Sequence, residues 1–223
     1  MSYENAKKGI GQIFTAEILA LLSAIFIIIG TIVSVVGTAT LIAGGMDGAA
    51  NAMGAGIAGG VVGIIVSFVG AIFSLIGFIL YIVGVANASK DEDGFKKAML
   101  FLVLALVCSI ISAFTTTVAG GVVSIILKVL GMLFELISTI MVIGGISAIA
   151  NKLGKTEVEQ KGQFVLKLIV VIILISIVFY VIGLIPAIAT GVIAGILSII
   201  ATVLSIVRYF AYLSLLAHAK NMF

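Results

Sequence analysis

Charge is what this sequence has least of. Only 9% of its 223 residues are Asp, Glu, Lys or Arg, 63% are hydrophobic, and the mean hydropathy is +1.43. Soluble domains carry about a quarter charged residues, and a chain this short of them cannot clothe a surface that faces water. A single cysteine, Cys108, excludes an intrachain disulfide. A single histidine, His218, and that one cysteine are too few ligands, and too far apart in the chain, to suggest a zinc site. The only proline, Pro186, leaves the long apolar runs unkinked. The formal charge of +3 could hint at nucleic acid, but the lysines are scattered over short segments, with no run that would track a phosphate backbone. No nucleophile–base–acid set stands out, and Gly-x-Gly patterns such as Gly54–Gly56 follow no strand. Neither an enzyme nor a cofactor is expected, and a lipid-active enzyme ranks last among the readings.

Long apolar runs are what the sequence has in abundance. About 20 apolar residues cross the hydrocarbon core as a helix, and runs of that kind fall at 13–44, 56–88, 98–118, 120–150, 164–183 and 187–219. The fold expected is an all-α integral membrane protein, one membrane domain over 1–223 with six transmembrane helices. Breaks are expected around Asp47, at Lys90–Lys97, at Thr115–Thr116–Thr117, at Lys152–Lys161 and near Pro186. The first run is far longer than the ~7–15 residue core of a signal peptide, so the first span is expected to be retained.

Lys7, Lys8, Lys90, Lys96, Lys97, Lys152, Lys155, Lys161, Lys167, Arg208 and Lys220 all fall on one side of such a six-span plan or at its interface. The opposite loops hold only Asp47. Cytoplasmic loops carry the Lys/Arg excess, so both termini are expected inside, with the plasma membrane as the expected location.

Small residues recur every seven positions. Span two has Gly56, Gly63, Gly70, Gly77 and Gly84; span one has Ala16, Ser23, Gly30, Gly37 and Gly44. Span three has Ala98, Ala105, Ser112 and Ala119; span four has Ser124, Gly131, Ser138 and Gly145. Lipid gives helices no hydrophobic reason to associate, so close backbone packing on small residues must supply the attraction. A seven-residue period keeps such a face toward its neighbour in a left-handed crossing near +20°. The period predicts packing seams, used within the chain or between copies.

A fainter threefold pattern, Lys8–Gly9, Asp93–Gly94 and Lys161–Gly162 opening the odd spans, suggests three helical hairpins in parallel repeat. Mitochondrial carriers share a three-hairpin plan, but the Pro-x-Asp/Glu-x-x-Lys/Arg motif of their odd helices is missing here.

Two charges lie too deep to be loop residues, Lys128 and Glu135. With span four starting near Gly120, Glu135 lies about 22 Å along the helix at ~1.5 Å per residue. Charges at that depth cost ~2.5–3.5 kcal/mol each on insertion scales and mark pathways or pairs. Each stands four residues beyond a seam position, about 40° off the seam at ~100° per residue, so both are expected to flank a helix–helix interface and not to face lipid.

The function expected is a structural or accessory multi-pass membrane protein, its seams assembling it with itself or with a membrane partner. The alternative is a small oligomeric channel or a proton- or cation-coupled transporter using Glu135.

Overall fold

The structure is a computed structural model. It describes the backbone of residues 3–47, 50–118, 121–183 and 192–223, and their side chains except those of 38, 40–59, 116–122, 125, 174–199 and 201–202. The described residues form six α-helices and no strand: α1 (Glu4–Asp47), α2 (Ala50–Ala88), α3 (Asp93–Val118), α4 (Gly121–Lys152), α5 (Thr156–Gly183) and α6 (Val192–Lys220). A chain this apolar has little choice, because in lipid every backbone N–H and C=O must be satisfied within its own helix. Four stretches, Glu4–Gly37, Gly60–Ala88, Asp93–Thr115 and Ile126–Lys152, are long and apolar enough to cross a membrane. The fifth and sixth apolar runs fall partly outside the described residues, as does the turn at Pro186.

The helices outrun the apolar runs at the lysine-bearing ends. α1 starts at Glu4 instead of residue 13, and α5 at Thr156 instead of 164. Hydropathy marks the part that lipid can hold, whereas the helix itself continues wherever backbone bonding does. Two expected breaks are corrected. Asp47 ends α1 instead of lying in a loop, and α2 begins at Ala50. The threonines at 115–117 belong to α3, which runs on to Val118. Thr115 donates its hydroxyl to the Ser112 carbonyl at 3.2 Å, a back-bond that lets threonine stay helical.

The end of α4 is built by glycine. Gly154 takes φ +68°, Lys155 N–H donates to the Ala150 carbonyl at 2.8 Å, and Gly154 N–H to that of Asn151 at 3.0 Å. That is a Schellman stop, which needs a residue free to enter the left-handed region.

The chain divides into two compact units, Gln12–Val83 and the remainder, Met1–Gly11 with Gly84–Phe223. Within the first, α1 and α2 run antiparallel and meet at small residues. A Cβ placed on Gly30 would lie 2.6 Å from the Gly63 carbonyl oxygen, one on Gly70 3.0 Å from that of Ser23, and one on Gly77 3.0 Å from that of Ala16. Partners advance seven residues on one helix while retreating seven on the other. Phe26 and Phe73 meet beside this line, tilted by 38° with centroids 5.5 Å apart. Gly37 is buried on the same face, while Gly44 and Gly56 lie outside the residues whose surroundings are described.

The second unit repeats the device between α3 and α4. Ser138 donates to the Ala98 carbonyl at 2.9 Å, and the hydroxyls of Ser112 and Ser124 lie 3.1 Å apart. Between these two bonds Gly131 faces Ala105 and Cys108, its added Cβ 3.6 Å from each. At the lysine-bearing end Gly94 and Gly145 touch, and the Phe95 ring lies over Gly145, leaving room for no side chain there. Gly9 presses on Gly84 and Ala88, and Gly162 on Ser147. The contact of Gly162 is therefore with the preceding hairpin. The apolar core collects at this end, from Ile10, Val85, Phe95, Val142, Ile143, Ile146, Ile149, Val165, Leu215 and Leu216, all fully or nearly fully buried.

Candidate functional site

α4 has two faces with different tasks. Ser124, Gly131, Ser138 and Gly145, the small residues at seven-step spacing, are all buried against α3. Lys128 and Glu135, each four residues on from one of them, are both exposed. Among the described residues no other helix covers these two. The contact line with α3 is narrow because glycine and serine let the backbones close in, and a long side chain 40° off that line clears it. Neither charge makes an ion pair or side-chain hydrogen bond among the described residues. Thr139 donates its hydroxyl to the backbone carbonyl of Glu135 at 3.0 Å, not to its carboxylate. Their neighbours on this side are large and apolar: Met132 is 69% exposed and Ile126 54%.

Three more charges, Glu17, Lys167 and Arg208, fall near the ends of apolar runs. Glu17 is half-buried near the start of α1 and Arg208 half-buried in α6, while Lys167 is exposed on α5. His218 turns its Nδ1 to the Ser214 carbonyl at 2.8 Å and its Nε2 to Glu157 at 3.6 Å.

The lysine-bearing end holds a polar network that sequence reading did not foresee. Asp91, between α2 and α3, accepts from the backbone N–H of Ala6 at 2.8 Å and from the Asn5 amide at 2.9 Å. It caps the first turn of α1, where helical N–H groups have no internal partner and the dipole favours an anion. Its neighbour Glu92 pairs with Lys152 at 2.6 Å, joining the α2–α3 connection to the end of α4. Glu157, in the first turn of α5, accepts from Lys161 at 2.9 Å. The hydrogen bond from Lys161, then the charges of Lys161 and His218, hold the Glu157 carboxyl below its usual range. Local sequence gave no signal for the first two contacts, whose partners are 86 and 60 positions apart.

Comparison with family models, with curated proteins and with solved structures finds no match.

Proposed function

We propose that this chain is a structural or accessory membrane protein. It crosses a cell membrane, the plasma membrane, six times with both termini inside, and associates laterally with further copies or with another membrane protein. The observation that carries this reading is the outward placement of Lys128 and Glu135 on an otherwise apolar helix. Each charge left facing hydrocarbon costs ~2.5–3.5 kcal/mol, and a neighbour that covers the face and supplies polar partners removes that cost. The small-residue faces of α1 to α4 were candidates for the same task, but over the described residues they are already filled by the partner helix of their own hairpin. Association is therefore assigned to the α4 face between Ile126 and Glu135. The gathering of the termini and lysine-bearing connections at one end, together with the Lys/Arg rule, supports this orientation.

The test is cross-linking from a cysteine at position 132 on a Cys108→Ser background, in native membranes. The expected result is a discrete adduct, dimeric or heteromeric, that a cysteine on the α2 face at position 64 does not give. A chain that stays monomeric and forms no adduct from position 132 would overturn the reading.

A second reading has a specific observation behind it, since an exposed carboxyl deep in a span also suits proton or cation passage in an oligomer. There, Glu135→Gln abolishes ion-dependent flux in liposomes without unfolding the protein. Wild-type protein that conducts neither protons nor monovalent cations refutes that reading.

A further inference from the structure

Lys128 and Glu135 stand one heptad apart on α4, about 10 Å along its axis and about 20° round it. They share one face, with the exposed Met132 between them. Neither is ion-paired among the described residues.

The rest of the chain has no charge to offer at their level. Outside α4 the apolar runs contain, of Asp, Glu, Lys and Arg, only Glu17, Lys167 and Arg208. Along their own helices these three lie ~17–20 Å from the lysine-bearing end, whereas Glu135 lies ~26 Å and Lys128 ~36 Å from it. Asp47 ends α1 past its apolar run. A helix of this chain, from the same copy or from another inserted the same way, therefore brings no opposite charge to either depth.

Pairing α4 with α4 does not help. In a two-fold pair each residue meets its own counterpart, so Lys128 faces Lys128 and Glu135 faces Glu135. One proton shared between the carboxyls relieves the second contact, but nothing relieves the ammoniums. A slide that brings Lys128 to Glu135 displaces one copy by ~10 Å, a third of the ~30 Å hydrocarbon core. It also leaves the other two charges unmatched. An inverted copy would match both, yet it carries every lysine-bearing connection to the wrong side.

We propose that this face of α4 binds a helix of a different membrane protein with the complementary charge order. That helix carries an Asp or Glu level with Lys128 and, about 10 Å nearer the lysine-bearing side, a Lys or Arg level with Glu135. The order of the two charges sets the specificity, because a helix with the reverse order meets like charges at both levels. The proposal rests on the lateral association proposed above and specifies its partner.

The full chain with cysteine at position 132, on the Cys108→Ser background, is co-expressed with single-span test helices of leucine and alanine. A lysine flank fixes their orientation. One helix carries Asp and Lys in the complementary order, one in the reverse order and one neither, each with a cysteine midway. Disulfide adducts in the membranes are then quantified. The expected result is at least about tenfold more adduct with the complementary helix than with the reverse one, the ratio that a modest change in charge contact produces. Lys128→Glu/Glu135→Lys keeps composition and net charge and should invert the preference. A self-pair is indifferent to that swap, since each residue still faces its own kind.

In native membranes the adduct from position 132 should join the chain to another protein and be lost in the swapped variant. A homodimeric adduct, or a heteromeric one untouched by the swap, overturns this proposal and leaves lateral association standing. Equal adduct with the two charged test helices overturns it as well. No adduct of any kind overturns both. If the swapped chain does not insert, the test helices against the unswapped chain decide alone.

Discussion

Gly30→Ala is a one-methyl change whose sign depends on the α1–α2 contact. The new Cβ would lie 2.6 Å from the Gly63 carbonyl oxygen and 2.8 Å from the Ser67 nitrogen. Both are backbone atoms, so neither can swing aside. Carbon–oxygen contacts between helices settle near ~3.3–3.6 Å, so α1 and α2 must part locally by roughly 0.7–1 Å. Overpacking of this kind costs ~1–3 kcal/mol. Against it stands a gain of up to ~1 kcal/mol for replacing glycine by alanine inside a helix. Gly60→Ala is the matched control, one turn away in α2, where the added Cβ meets nothing within 4 Å. It should be neutral or stabilising. Subtracting one variant from the other cancels the propensity gain and leaves the packing cost, a difference of ~1–3 kcal/mol. Reversible unfolding in mixed micelles, followed by helical circular dichroism, reads it directly. If Gly30→Ala proves as stable as Gly60→Ala, the helices do not meet at Gly30 and the account of this hairpin fails.

Gly145→Ala should destabilise where Gly144→Ala does not, because only the first pushes a methyl to 2.8 Å from the Phe95 ring; paired melting curves check it. Ser138→Ala removes a buried donor to the Ala98 carbonyl and should cost about 0.6 kcal/mol, up to ~1.7, the range for interhelical bonds in membranes. Glu157 has its carboxyl held below the usual range by Lys161, so its pairing stabilises fully above that range and fades as pH falls through the lowered value. The melting difference between wild type and Glu157→Gln should close on that descent, and one that widens would contradict the pairing. Cysteine at position 155 on a Cys108-free background should resist an impermeant reagent applied from outside, and labelling there would reverse the orientation.

The helical membrane class was legible because it rests on composition, which no tertiary detail can undo. Small residues at seven-step spacing were legible as a face because helical period is local; Gly30, Gly63, Gly70 and Gly77 sit where α1 meets α2. Helix ends were not. Lys7 and Lys8 interrupt hydropathy but not backbone bonding, so α1 begins at Glu4. The acidic run Asp91–Glu92–Asp93 reads alone as a solvated loop, and only the fold brings Asp91 to the α1 terminus and Glu92 to Lys152. That α3 leaves Lys128 and Glu135 uncovered has a geometric cause. Azimuth can be counted from sequence, but the width of a contact line depends on how closely two backbones approach.

That closeness links the seam to the exposed charges. In α4, serine and glycine at 124, 131 and 138 draw the helix against α3, and the Ser112–Ser124 and Ser138–Ala98 bonds satisfy the buried hydroxyls. A broad contact between large side chains would have reached round the helix and covered residues 40° from its centre. A narrow contact between small ones leaves them outside, so the same residues that tighten the hairpin also expose Lys128 and Glu135. The loop-end charges show what this chain does with ions it must keep: Asp91 caps a helix, and Glu92 and Glu157 hold lysines. Lys128 and Glu135 have no such arrangement among the described residues, although two uncompensated charges would cost ~5–7 kcal/mol in lipid. A penalty of that size is comparable with the whole stability of a domain, ~5–15 kcal/mol. The proposed lateral association would remove that penalty by setting something polar against α4.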